Sequence, residues 1–276
     1  MTYWNAVLLG LVQGVAEFLP ISSSGHLAVL QNFLAIGDME NHMLFDVLLH
    51  LGTLAAVILA FWKDVREVVT EFARMLHIRR TPRGLRPNRR ERRFISFLII
   101  ATLPLIPAAF LSNVVESLYQ NTFFIGFAFI LTGFLLFAAD RMGHGNKDER
   151  SSTTADALVV GLAQAVAVVP GLSRSGTTIS FGMLRGFERS FAVKFSFLLS
   201  IPAVLGANLV SLIKVFSTGV EWSYVPMYLV GVACAFVSGY FAIYFLRLVV
   251  QRGKFGGFCY YCWGAGLVTL LLSLIS

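Results

Sequence analysis

Charge is what this chain has least of. Only 13% of its 276 residues are Asp, Glu, Lys or Arg, 57% are hydrophobic, and the mean hydropathy is +0.74. Soluble domains carry about 25% charged and about 45–50% apolar residues, so a water-soluble globule is excluded. Cysteine is scarce too: three residues exclude a disulfide framework. Cys259 and Cys262, in CYYC, have redox or metal spacing, but no second ligand pair accompanies them and they read as membrane filler. Met1–Ala16 lacks any Lys or Arg, so no cleavable leader is expected.

The gaps between charges are long enough to cross a bilayer, which takes about 20 mostly apolar residues. Phe94–Val115, Ser117–Ala139, Phe195–Ile213, Trp222–Leu246 and Phe255–Ser276 are free of Asp, Glu, Lys and Arg. Val47–Trp62 is shorter but extends back through Asp46 to Met43. The expectation is an all-α polytopic membrane protein, one membrane domain over 1–276, with about six transmembrane helices. Two further apolar segments, about 3–36 and 155–190, are broken near their middle by Pro, Gly, Ser and charge. Non-helical backbone at membrane depth is tolerated only inside protein or beside a watery cavity, so each is expected to be a re-entrant broken-helix pair.

Basic residues orient the spans. Lys63 to Arg93 holds 11 of the 22 Lys and Arg, which predicts a cytoplasmic loop over 63–93. Its run RRTPRGLRPNRRERR reads as an anchor on an anionic leaflet, not as a nucleic-acid site. Arg141, Lys147 and Arg150 mark a second cytoplasmic loop, whereas 116–121 holds no Lys or Arg. Asp38 and Glu40, with no base from 27 to 45, place the entry of the first broken segment outside. Arg150, Arg185, Arg189 and Lys194 place that of the second inside.

The two broken segments are also alike. GLVQGVAEFLPISSSG (10–25) aligned on GLAQAVAVVPGLSRSG (161–176), at a constant offset of 151, gives eight identities in 16 positions. FDVLLHLG and FSFLLSIP are weakly similar further on. Repeat 1 is placed at about 3–140 and repeat 2 at about 155–276. Repeats of opposite topology with broken helices meeting near the midplane form a known membrane architecture, with the site at the repeat interface.

That comparison gives meaning to EFLPISSSGHL (17–27). Gln13 and Glu17 are four apart and share a helix face. Pro20 disfavours helix at Leu19, so the helix should end there. Ser22, Ser23 and Ser24 precede Gly25 and His26 and favour the start of a second helix, whose free N–H groups suit an anion. In the other repeat Pro170 and Gly171 break the chain, and Ser173, Arg174, Ser175 and Gly176 follow, with Arg174 at the position of Ser23. Arg is a forked donor suited to phosphate. A carboxylate holds a hard cation such as Mg²⁺ or Ca²⁺, and Ser or His serves as nucleophile or proton carrier. Together these residues read as a metal-assisted phosphoryl-transfer site. Plainer readings stay open: Glu17 and Arg174 as a pair that only holds two loops, the serines as caps, His26 as a structural hydrogen-bonder. Asp46 and His50, also four apart, either meet solvent at the interface or support the site. His42, His77 and His144 read as surface residues.

QGVAEFLPISSSGH together with PGLSRSG resembles the two signature regions of the undecaprenyl-diphosphate phosphatase family, the bacitracin-resistance type, and the resemblance runs over the whole chain. It implies hydrolysis of undecaprenyl diphosphate to the monophosphate and phosphate, recycling a carrier lipid for cell-wall synthesis, in the bacterial plasma membrane. It implies that Glu17, His26 and Arg174 carry activity, that Ser23 falls on the serine proposed as nucleophile, and that the cavity opens to the outer, periplasmic face. The family has Glu or Gln at the first acidic position, and here Gln13 would assist Glu17 in holding the divalent cation. Ser22, Ser24, Gly25, Ser173, Ser175 and Gly176 are expected around the phosphates, with the prenyl tail between spans. The partners expected are a polyprenyl diphosphate lipid, the membrane and a homodimer mate. The rival class is a lipid-phosphate transporter on the same site.

Overall fold

The structure is a computed structural model that describes residues 2–34, 39–77, 88–218 and 222–274. Asp38, positions 78–87 of the basic run and Gly219 lie outside the described residues, as does the side chain of His42. Among the described residues the chain is helical throughout, apart from one isolated bridge between Lys147 and Phe187.

The first apolar segment forms α1 (Tyr3–Phe18) and α2 (Ser23–Leu34), followed by α3 (Met39–Ala60) and α4 (Trp62–Met75). Then come α5 (Arg89–Thr102), α6 (Leu105–Ala109), α7 (Ser112–Tyr119) and α8 (Thr122–Met142). The second apolar segment forms α9 (Thr154–Val166) and α10 (Arg174–Leu184), followed by α11 (Arg189–Thr218), α12 (Val225–Gln251) and α13 (Phe258–Ser273). Five helical stretches are long and apolar enough to cross a membrane, or six if the bent pair α3–α4 counts as one. The protein is an all-α polytopic membrane protein, as its composition predicts.

Two expectations need correction. The expected span Phe94–Val115 is not one helix. Pro104 and Pro107 supply no N–H and interrupt the ladder, so the continuous stretch covers Arg89–Ala109 and a separate α7 follows. The expected loop 63–93 is helical at both described ends. After α3 the chain bends by 91° into α4, where Val65, Val68, Val69 and Phe72 recur at helical spacing between charges, the pattern of a helix lying along an interface. Glu71, 2% exposed, ties α4 to α5 through Arg92 at 2.8 Å.

Packing follows the sequence repeat. α1 packs along α12, and its counterpart α9 packs along α5; α3 also lies on α12 and α11 on α5. α3 meets α11, and α8 meets α13. Gly10 and Gly161, aligned in the repeat, mark matching close approaches. A Cβ on Gly10 would sit 2.3 Å from the Gly231 carbonyl oxygen, and one on Gly161 would sit 2.5 Å from that of Ala101. Each first broken helix thus docks backbone-close on a span of the other half.

Ion pairs hold the end that carries most of the basic residues. Lys194 bridges Asp64 at 2.6 Å and Glu149 at 3.1 Å, and Arg90 also pairs with Glu149. They line a cavity of about 350 Å³ with Phe61 and Arg247. Asp156, fully buried near the start of α9, accepts Lys147 at 3.0 Å and Arg185 at 2.8 Å, which joins the far ends of α9 and α10. Single cysteines at Gln120 and Asn146, both exposed, are expected to react with an impermeant thiol reagent from opposite sides of sealed vesicles. Labelling from one side would overturn the orientation read from the basic residues.

Candidate active site

The break in each of these two helix pairs brings its polar residues to the same place. α1 ends at Leu19, whose N–H reaches the Val15 carbonyl before Pro20 stops the helix. Ser22 then takes φ 70, a left-handed conformation unusual for a residue with a side chain. That turn lets its hydroxyl accept the Gly25 N–H at 3.3 Å and its carbonyl accept His26 Nδ1 at 2.7 Å. In the other half Gly171 takes φ 89, and a Cβ there would meet Ala128 at 2.7 Å. Ser173 caps α10, its hydroxyl accepting the Gly176 N–H at 3.0 Å.

Glu17 is the hub. Its carboxylate accepts Arg174 Nη2 at 2.9 Å on one oxygen. On the other it accepts the Ser23 hydroxyl at 2.6 Å and Gln13 Nε2 at 3.2 Å. The Glu17 side chain is 7% exposed and that of Arg174 28%. A buried carboxylate of this kind persists only when paired and hydrogen-bonded. Among the described residues only Nη2 of the Arg174 guanidinium has a hydrogen-bond acceptor, so the rest of its fork remains available.

The hydroxyls divide into two sets. Ser173 and Ser175 are bound within the protein: Ser173 caps, the two lie 3.2 Å apart, and Ser175 donates to the Leu19 carbonyl at 3.3 Å. Gly176 lies against Pro20. These three stitch the second break onto the first. Ser22 and Ser24 lie 3.3 Å apart beside Ser23. Gly25 is small because Phe129 of α8 would stand 2.7 Å from any Cβ there.

His26 is not bonded to Ser23. Its ring contacts are the Ser22 carbonyl, the Tyr261 hydroxyl at 2.8 Å and the edge of Phe129, with ring centroids 4.9 Å apart. His50 is the supporting residue left open by the sequence. From α3 it brings Nε2 to 3.8 Å from Glu17, while its Nδ1 bonds the Asp46 carbonyl at 2.7 Å. The Asp46 carboxylate accepts Gln31 at 3.1 Å. The sequence did not single out Tyr261. The available signal was a Tyr at membrane depth, since a phenol in apolar surroundings needs a partner. Cys259 and Cys262 are buried free thiols, and Cys262 touches the Pro20 carbonyl at 3.5 Å. His77 and His144 are exposed.

Two oxygens bear on a cation. Gln13 is fully buried, and its Oε1 has no hydrogen-bond partner although its Nε2 is on Glu17. No group of three or more His, Cys, Asp or Glu suited to a metal occurs among the described residues. The residues present therefore fit one edge of a hard cation's oxygen shell, not a closed protein cage.

The chain is similar in sequence to known proteins. The family model for bacitracin resistance protein BacA matches residues 6–268. The undecaprenyl-diphosphatase of Alkaliphilus metalliredigens is 41% identical over 277 residues, covering 100% of both chains. That of Syntrophotalea carbinolica is 41% identical over 271 residues, covering 96% of this chain and 97% of its own. That of Halothermothrix orenii is 37% identical over 277 residues, covering 99% of each. Both broken segments, with the spans that carry them, lie inside these matches, and the chain belongs to the BacA bacitracin resistance protein family.

Proposed function

We propose that this protein hydrolyses undecaprenyl diphosphate to undecaprenyl phosphate and inorganic phosphate at the Glu17–Arg174 site, as the names of its relatives say of them. The observation that carries the reading is one carboxylate shared by a serine hydroxyl from one repeat and a guanidinium from the other. A pair that only held two loops together would not need the serine on the same carboxylate. The relatives' names favour the enzyme over the transporter.

The free arms of Arg174 and the N–H groups at the start of α2 grip the diphosphate and the charge that develops on it. Ser23 attacks the terminal phosphorus while its proton passes to Glu17, to which it already donates. The bond from phosphorus to the bridging oxygen breaks, and the lipid monophosphate leaves. Water then attacks the phosphorus on Ser23 as His26 takes its proton; the bond from Ser23 oxygen to phosphorus breaks, Glu17 returns its proton to that oxygen, and phosphate leaves. Glu17 and Gln13 Oε1 would hold Mg²⁺ or Ca²⁺. When bound, the cation offsets phosphate charge. Gln13→Ala is expected to raise the cation concentration for half-maximal turnover by roughly tenfold, read from a metal titration of the purified protein; an unchanged midpoint would remove Gln13 from that role. We place the protein in the bacterial plasma membrane with the site open to the periplasmic face, and take a homodimer as its assembly.

Phosphate release by purified protein in detergent tests the proposal, because detergent leaves no second compartment to transport into. One phosphate per lipid diphosphate, with the monophosphate as lipid product, is expected. Lipid movement in vesicles without phosphate release in detergent would favour the transporter.

A further inference from the structure

The contacts of His26 determine which of its nitrogens is basic. The Ser22 carbonyl, 2.7 Å from Nδ1, can only accept, so Nδ1 carries the proton. In the neutral ring Nε2 then holds the lone pair, and it faces the Tyr261 hydroxyl at 2.8 Å. The phenol is the donor in that bond. The two rings are near parallel, with centroids 5.7 Å apart and an interplanar angle of 19°. Tyr261 is 49% exposed, so it lies at the edge of the protein with its hydroxyl turned back toward the site.

The bond is held by rigid parts. α13 packs along α8, where a Cβ on Gly266 would stand 2.8 Å from the Gly126 carbonyl oxygen and one on Gly133 2.5 Å from Trp263. α8 also supplies Phe129, whose ring meets the imidazole edge-on at an interplanar angle of 65°. His26 therefore touches aromatic rings from two packed helices, with each nitrogen assigned a partner.

We propose that Tyr261 is a positioning residue for the reaction: its hydroxyl donates to Nε2 of His26 and holds the imidazole in place, with Nε2 the nitrogen that takes a proton when water displaces the phenol. This rests on the phosphatase reading of the site. It implies a division of labour in which Glu17 takes the serine proton and His26 serves the water step.

Tyr261→Phe removes the hydroxyl and keeps the ring. It is expected to lower kcat by roughly tenfold, the scale of one hydrogen bond, with KM and thermal stability unchanged. In a His26→Asn background the same change should cost less than about twofold, because a residue acting through His26 has nothing left to act on. Unchanged kcat in Tyr261→Phe, or an equal loss in both backgrounds, would overturn the proposal. If His26→Asn is too slow to measure, the ¹⁵N ring signals of histidine-labelled protein decide. The His26 signals are those lost in His26→Asn. They should show a protonated Nδ1 and an unprotonated Nε2, and Tyr261→Phe should move Nε2 while leaving Nδ1 in place. A protonated Nε2 in the wild type, or one unmoved by Tyr261→Phe, would also overturn it. Wild-type protein that releases no phosphate would refute the phosphatase reading itself, and the ring signals would still report the bond.

Discussion

Arg174→Lys is expected to insert, fold and keep its thermal stability while losing turnover by roughly 10²-fold or more. The two residues carry the same charge, but only Arg offers a planar fork. In the structure one nitrogen of that fork is on Glu17 at 2.9 Å, and the others have no hydrogen-bond acceptor among the described residues. Lys can replace the first contact and not the second. If Arg174 merely balanced Glu17, Lys would keep most of the activity. Phosphate release and thermal unfolding measured on one purified sample separate the cases, and an active, stable Arg174→Lys protein would reduce Arg174 to a replaceable positive charge.

Glu17→Gln should cost at least about two orders of magnitude in turnover, the loss expected for a positioned proton acceptor. Gln has the shape of Glu and can still accept hydrogen bonds, but it lacks the charge that Arg174, Ser23 and a hard cation share. It also leaves the largely buried Arg174 without its counter-charge, and breaking such a pair costs about 3–5 kcal/mol. Stability should fall along with activity. The double change Glu17→Gln with Arg174→Gln should regain stability, since no charge is left alone, and regain no turnover. Near-wild-type phosphate release by Glu17→Gln would remove Glu17 from both proton transfer and cation binding.

Much of the scaffold was legible because the membrane makes charge expensive. Charge-free stretches gave the spans, and Pro20 and Gly171 gave the breaks. The repeat placed Glu17 and Arg174 at opposite junctions, and the structure closes that pair to one ion pair. What escaped has two physical causes. α4 falls within the expected loop 63–93 because its charges mask its apolar face. The spacing of Val65, Val68, Val69 and Phe72 was that of a helix with one wet face, which charge counting ignores. His50 and Tyr261 come from α3 and α13, far along the chain from EFLPISSSGHL. Helical periodicity assigns a residue to a face but does not say which helix that face meets. The serines were legible as a group and not as individuals. Ser23 differs from Ser173 and Ser175 only in that its hydroxyl reaches Glu17, and this depends on the left-handed turn at Ser22.

The central claim is that residues from both broken elements form one diphosphate-gripping site, and it is tested most directly by binding without chemistry. A polyprenyl methylenediphosphonate, which cannot be hydrolysed at its bridging carbon, should be titrated into wild-type protein and into Arg174→Lys, each confirmed folded. Binding to Arg174→Lys is expected to be at least roughly tenfold weaker, from loss of a two-pronged charged contact. Equal affinity for the two proteins would contradict it.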